Sequence, residues 1–469
     1  MTQDVQEFAQ ADPLCRLGAA DLREAYAAKR ISPVEVVRAA LAQAEAIQPR
    51  YNAFTRIDHE SALAQARASE ARWQGGAPVS AVDGVPATIK DIVWVEGWPV
   101  RYGSLSTPDT PCTVDAPAVA RMRAAGITFL GLTTTPEFGW KALTDGPLSG
   151  VTRNPWNPDL TPGGSSGGAA VAAITGAGVF HLGTDGGGSI RVPSAFTGIV
   201  GLKPTYGRVP AYPASAFGTV AHLGPMTRRV ADARAMLEVM AGRDSADWLQ
   251  GAGALPPLAA ETTSFSGARI AYWAKPPCGT VDPEIAATVG GVVRRLEELG
   301  AHVEPVDLPG DNLLELFNAH WYVGAATRAA ALSADDRSRL DPGLREIVAA
   351  GEGYSAVAYN KAVGGRASFG RAMDELAERF DLIVSPATAV LPFQAGLEVP
   401  PNSGLGRWIE WAGFSFPINL SQQPAAVVPC GRSATGLPIG LQLIAGRGQD
   451  SRVLDYAQAF ETAYPAFFS

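Results

Sequence analysis

The amino-acid sequence predicts an α/β fold: a single large domain, residues 1–469, with a central mixed sheet flanked by helices on both sides. Three observations lead there. Short apolar runs with strand character alternate with amphipathic helical stretches along most of the chain, the pattern that packs helices onto a sheet. No Pro/Gly-rich linker separates two halves, and no internal repeat is apparent. The 469 residues are 46% hydrophobic and 18% charged, enough for a large core and unlike a disordered chain.

The elements follow in order. The first 75 residues read as an N-terminal helical portion. In it, SPVEVVRAALAQAEAIQP carries a capping box, with Ser32 at the N-cap, Pro33 at the first helical position and Glu35 at the third. A second helix runs from about His59 to Trp73 and stops at Gly75-Gly76. VDGVPATIKDIVWVEG then turns to strand character and places Lys90 at a strand end. A helix (APAVARMRAAG) and a strand (ITFLGLTTT) come next. From Thr161 to Thr205 the composition changes: glycine becomes dense, charge nearly vanishes, and Ser and Ala dominate. A flexible linker is also rich in Gly and Ser, but AAVAAITGAG and FTGIVGL within this segment are apolar enough to bury. The segment is therefore an ordered, backbone-rich core. Alternation resumes with a strand at ARIAYW, a helix through VGGVVRRLEELG and a strand at HVEPVDL. A mostly helical stretch covers about Leu313 to Phe380. The chain closes with the strand DLIVSPAT, a hairpin in AAVVPCGRSATGLPIGLQLIA and a helix after Asp450.

Charge and composition exclude several classes. A net charge of −8 argues against a nucleic-acid surface, and the pairs Arg228-Arg229 and Arg294-Arg295 sit beside helical patterns as solvated faces. The start MTQDVQEFAQADP is polar and acidic, unlike a leader peptide. No run of about 18 uncharged apolar residues suggests a membrane span. The four cysteines (Cys15, Cys112, Cys278, Cys430) are far apart, with no CxxC and no paired His, which points to reduced thiols in a cytoplasmic protein and to no metal site. Cys430 reads as packing in a strand.

Chemistry concentrates in two Gly-Ser clusters, PGGSSGGAA (162–170) and GTDGGGSIR (183–191). In the second, three glycines lead into Ser189. Consecutive glycines let successive N–H groups converge on one point, which suits a negatively charged oxygen forming beside the Ser189 hydroxyl. A tight turn alone would also need such glycines. A serine nucleophile needs a base. His181 is the His nearest in sequence, yet the five His fall into no motif. Lys90, in PATIKDIVW, has apolar neighbours that would bury its amine and lower its pKa; the plainer alternative is a surface pair with Asp91. GSSGG formally matches GxSxG with Ser166 at the centre, but that turn needs a strand before it and DLTPGG is none.

GGSSGGAAVA followed by GTDGGGSIRVPSAFTGIVGLKPTYGRV resembles the signature of the amidase signature family. TIKD around Lys90 and the closing QPAAVVPCG…GLPIGLQLIA resemble that family's other shared segments, so the likeness runs from about Leu17 to the last helix. The resemblance implies a Ser-Ser-Lys triad: Ser189 as nucleophile, Ser165 as bridging serine with a cis peptide bond, and Lys90 as general base. It also implies an oxyanion hole from the N–H groups of Gly186, Gly187, Gly188 and Ser189. Asp185 and Arg191 are read as braces of the loop. The activity implied is hydrolysis of a linear, small-molecule carboxylic acid amide through an acyl-enzyme, with no cofactor, no metal, no nucleic acid and no membrane; monomer and homodimer both stay open. The alternative within the family is the glutaminase subunit of a tRNA-dependent amidotransferase, although LFNAHWYVGAATRAAAL does not resemble the region with which such subunits hold glutamine. Gly139 and Trp140, in TTTPEFGWKAL, align with a pocket-lining part of the family and are the expected substrate contacts. Trp408, Trp411 and Phe414 form a later aromatic group that belongs to the same pocket or to the core.

Overall fold

The computed structural model describes residues 11–251, 253, 255–260 and 263–468; residues 1–10, most of the start compared above with a leader peptide, lie outside them. Helix α1 (Ala19–Ala27) precedes α2 (Pro33–Tyr51), which starts where the capping box predicts. Ser32 Oγ accepts the Glu35 N–H at 3.2 Å and the Glu35 carboxylate accepts the Ser32 N–H at 2.8 Å, so two otherwise unpaired donors of the first turn are satisfied. Strand β1 (Phe54–Ile57) and α3 (His59–Gln74) follow. The N-terminal portion is thus helical except for β1, whose four residues are too few to show an alternation and which pairs antiparallel with a later strand.

Next come β2 (Pro86–Lys90), α4 (Pro117–Ala124) and β3 (Thr128–Thr133). The Gly/Ser-rich segment holds α5 (Gly167–Thr175), β4 (Phe180–Asp185), α6 (Arg191–Thr197) and β5 (Val200–Lys203), and nearly every one of its residues is buried. Then come β6 (His222–Thr227), α7 (Val230–Met240), β7 (Arg269–Tyr272), α8 (Pro283–Glu298) and β8 (His302–Pro305). Four helices fill the predicted helical stretch: α9 (Leu313–Ala330), α10 (Ala334–Ser338), α11 (Pro342–Glu352) and α12 (Ala356–Arg379). Strand β9 (Leu382–Pro386), the short α13 (Phe416–Leu420), the antiparallel pair β10 (Ala425–Arg432) and β11 (Pro438–Ile444), and α14 (Asp450–Ala463) complete the chain.

One mixed sheet of 11 strands runs through the molecule in the order β1-β3-β2-β4-β6-β5-β10-β11-β9-β7-β8. Side chains alternate across it, as a period of two requires. Ile270, Leu382 and Val384 enter one apolar cluster, whereas Ala271, Ile383 and Ile444 enter another on the opposite face. Both faces are therefore covered. The pairing that matters for function is β2 with β4: they run parallel, with Ile89 opposite Leu182. Parallel neighbours end at the same edge, so Lys90 at the end of β2 and the glycine loop after β4 emerge side by side. Ligands of open α/β sheets gather beyond such carboxyl ends. Strand β6 returns antiparallel to β4 and sets His222 opposite Asp185.

Candidate active site

Lys90 is wholly buried, and no carboxylate pairs with it among the described residues. Its Nζ lies 2.7 Å from Ser165 Oγ, 2.9 Å from Ser166 Oγ and 2.9 Å from Thr184 Oγ1. Burial drives the Lys90 pKa well below the ordinary lysine value, and the charge of Asp185 opposes this only in part. A surface pair with Asp91 is not what forms: Asp91 is itself buried and accepts the Arg101 N–H at 2.8 Å.

The serine at the centre of GSSGG does not occupy the position that GxSxG suggests. Ser166 is fully buried at the start of α5, with no strand before it. Its hydroxyl donates to the Thr184 carbonyl at 3.1 Å and accepts the Thr184 N–H at 3.2 Å as well as Lys90. With its donor and both acceptor sites in use, it is a fixed support for Lys90. Ser165, joined to Gly164 by a cis peptide bond, instead opens into a cavity.

Ser189 opens into the same cavity and stands on a strand–loop–helix turn between β4 and α6. Ser165 Oγ and Ser189 Oγ share no hydrogen bond; the Ser166 N–H donating to the Ser189 carbonyl at 3.1 Å ties the two segments together. The loop before Ser189 is held by Asp185. Its carboxylate accepts the N–H groups of Gly188, Ile190 and Arg191 and a two-pronged bond from the buried Arg191 guanidinium, at 2.9 Å for each prong. Burial alone would push the Asp185 carboxyl up, but Arg191, Asn419 and Lys203 outweigh it and hold it ionised, below the usual carboxylate range. Arg191 is anchored in turn on Gln442 and Asn419.

This bracing corrects one expected donor. Gly188 is among the oxyanion donors that the resemblance implies, yet its N–H already donates to Asp185 Oδ1 at 2.8 Å. The N–H groups of Gly186, Gly187 and Ser189 have no protein acceptor among the described residues. Side chains are excluded here by close approach. A Cβ at Gly187 would lie 2.9 Å from both Phe317 Cζ and Trp408 Cη2, and Gly188 combines a φ of +124° with a Cβ position 2.6 Å from Ser415 Cβ.

The cavity has a volume of about 950 Å³ and aromatic walls, among them Trp94, Tyr102, Phe138, Phe217 and Trp321. Gly139 lines it, its missing side chain leaving room 3.3 Å from Ser165 Oγ. Trp140 does not. Its ring is 1% exposed and packs into the apolar cluster against Gly343 and Lys141. The correction is one of direction: the bend at Phe138, with a φ of +52°, turns Phe138 to the cavity and Trp140 away. Trp408, Trp411 and Phe414 are core residues of that cluster, Trp408 backing the glycine loop. Thr184, Phe138, Trp321 and His222 also line the site; Thr184 and Phe138 stand inside GTDGGGSIR and TTTPEFGWKAL, but residue type alone singles out none of the four. His181 lies away from the cavity, buried, with Nδ1 2.8 Å from Thr88 Oγ1.

A buried lysine at the carboxyl end of β2, two serines on one cavity and a glycine loop with three N–H groups unpaired among the described residues thus come together. The chain matches the Amidase family model over residues 35–454 and belongs to that family, the amidase signature enzymes. Members of this family are amide hydrolases. The acylamidase of Rhodococcus erythropolis is 35% identical over 462 residues, covering 96% of each chain. A glutamyl-tRNA(Gln) amidotransferase subunit of Roseiflexus castenholzii is 34% identical over 478 residues, again covering 96% of each. Among solved structures, a bacterial aryl acylamidase of the amidase signature family superimposes with a TM-score of 0.89 at 30% identity, over 97% of this chain and 98% of that one. No helix among the described residues is long and apolar enough to cross a membrane.

Proposed function

We propose that the protein hydrolyses a carboxylic acid amide through an acyl-enzyme on Ser189, with Lys90 and Ser165 as proton relay. The observation that carries this reading is the wholly buried Lys90 amine, without a carboxylate partner among the described residues, 2.7 Å from Ser165 Oγ. A neutral amine has two N–H groups and one lone pair. Ser166 has its own proton committed to the Thr184 carbonyl, so it can only accept from Lys90. If Ser166 and the Thr184 hydroxyl take the two N–H groups, the lone pair faces Ser165, whose O–H then donates to Lys90.

In the first half-reaction Ser165 passes its proton to Lys90 while taking one from Ser189, and Ser189 Oγ bonds to the amide carbon. The N–H groups of Gly186, Gly187 and Ser189 support the resulting oxyanion. The proton returns through Ser165 to the amide nitrogen, the C–N bond breaks and the amine leaves. Water enters by the same relay and releases the acid. Catalytic hydrogen bonds often tighten only in the reacting complex, and the relay calls for the Ser165–Ser189 bond there.

The aromatic walls favour an aryl or otherwise apolar amide. Similarity to an acylamidase supports the stand-alone hydrolase; similarity to an amidotransferase subunit supports glutamine as substrate and a partner as ammonia acceptor. One experiment separates them. The purified protein is given aryl, alkyl and glutamine amides, and a fluorophosphonate adduct is mapped by peptide mass. Turnover of aryl amides alone with the adduct on Ser189 is the expected result. Turnover of glutamine only with added partner subunits establishes the second reading, and an adduct on Ser166 removes the mechanism.

A further inference from the structure

Helix α9 carries Trp321 and Arg328 seven residues apart, two turns along one face and about 10 Å apart on the axis. Both side chains line the cavity. Trp321 marks the reacting end, since a Cβ at Gly186 would lie 2.8 Å from its Cζ3. Arg328 stands at the other end, its guanidinium 4.5 Å from the Phe138 ring centroid and 4.8 Å from that of Tyr102. Two aromatic rings hold this planar cation by their faces but accept none of its N–H groups. Among the described residues Arg328 makes no ion pair and no hydrogen bond, and its Nε is buried without an acceptor. Arg328 is half-buried as a whole, whereas the buried Arg191 and Arg208 are matched with Asp185 and Asp450. The acidic side chain in the cavity wall, Asp247, is occupied by the N–H groups of Ala211 and Leu249.

The geometry points to Arg328 as the anchor for a carboxylate on the amine part of the substrate, which makes acylated amino acids or acylated aminobenzoates the preferred amides. This rests on the hydrolytic reading above and adds a substrate class to it. A guanidinium in the cavity wall whose N–H groups have no acceptor among the described residues matches the two oxygens of a carboxylate. The side is set by connectivity. Phe138, under Arg328, precedes Gly139, which adjoins Ser165 Oγ. Ser165 hands its proton to the leaving amine, so the arginine flanks the amine's path. The aromatic walls between accommodate the ring or chain that joins the two ends.

The test compares two amides of nearly equal shape, 4-acetamidobenzoate and 4-nitroacetanilide, in the wild type, Arg328→Met and Arg328→Lys. The ratio of their kcat/KM values, carboxylate over nitro, is expected to fall roughly 10- to 100-fold in Arg328→Met and less in Arg328→Lys, as for loss of a charged hydrogen-bonded pair. In parallel, 4-aminobenzoate is expected to slow fluorophosphonate labelling of Ser189 in the wild type and not in Arg328→Met. An unchanged ratio in Arg328→Met, or equal loss for both amides, makes Arg328 a prop for the two rings and overturns the inference. If the wild type cleaves neither amide, hydrolysis is what fails. The protection experiment then decides the anchor by itself: protection lost in Arg328→Met upholds it, and absence of wild-type protection refutes it.

Discussion

Replacement of Gly187 by alanine probes the glycine loop with one methyl group. Its φ lies outside the left-handed region, so backbone preference does not oppose alanine there. The obstacle is contact: the new Cβ would be 2.9 Å from Phe317 Cζ and 2.9 Å from Trp408 Cη2, where ordinary contact begins at 3.4 Å. Neither ring can yield cheaply. Phe317 is buried with its centroid 5.3 Å from Trp321, 5.1 Å from Phe416 and 6.4 Å from Trp408. The loop must therefore move by about 0.5 Å, which takes a 2.9 Å N–H···O bond to the edge of useful range. Losing one oxyanion donor lowers kcat by about 10²–10³, and overpacking costs about 1–3 kcal/mol of stability. Steady-state kinetics on an aryl amide should give Gly187→Ala a kcat loss of about 10²-fold with KM little changed. Adding Phe317→Leu should restore part of it by making room. A Gly187→Ala enzyme with wild-type kcat, or one whose loss lies wholly in KM, would refute the reasoning.

Lys90→Ala should lower kcat by about 10²–10⁴. In the intact enzyme, the buried amine's depressed pKa means that the base is neutral above that value, so a pH–rate profile should lose activity as pH falls through a point well below the ordinary lysine range; unchanged turnover in the variant removes Lys90 from the relay. Trp140→Ala should cost about 3–5 kcal/mol in urea unfolding yet leave the preference among amides unmoved, because the ring faces the core; an altered preference would return it to the pocket. His181 is held neutral by burial, with a pKa lowered from 6.5 to about 3. The unfolded chain therefore binds a proton that the folded one refuses between those values, and stability declines as pH drops from 6.5 toward 3. The stability of His181→Gln should decline less over that window, which urea midpoints at about pH 7 and pH 4 will read; parallel declines refute this.

Much of the chain's architecture is legible locally because its causes are local. The Ser32–Glu35 capping box, the stop at Gly75 and the apolar runs at Ile89, Leu132 and Val384 each depend on neighbours within a few residues. The centre is legible in composition, though its strands are not. Phe180–Asp185 and Val200–Lys203 are short and buried on both faces, so no alternation announces them.

Motif alone names the residues that meet: Lys90, Ser165 and Ser189 stand in segments long enough to be specific. How they meet is a matter of tertiary packing. Ser166 differs from Ser165 by one position, yet only the parallel pairing of β2 with β4 makes one a saturated support and the other a cavity residue. Gly188 and Gly187 read alike in sequence; the Asp185 carboxylate, held by Arg191, withdraws one N–H and leaves the other without an acceptor among the described residues. Trp140 and Phe138 are two residues apart, and two successive positive φ values, at Phe138 and Gly139, send them in opposite directions. Arg328 has no motif at all. Its meaning comes from Tyr102 and Phe138, which are remote in the chain and whose ring faces only folding brings within 5 Å of one guanidinium carbon.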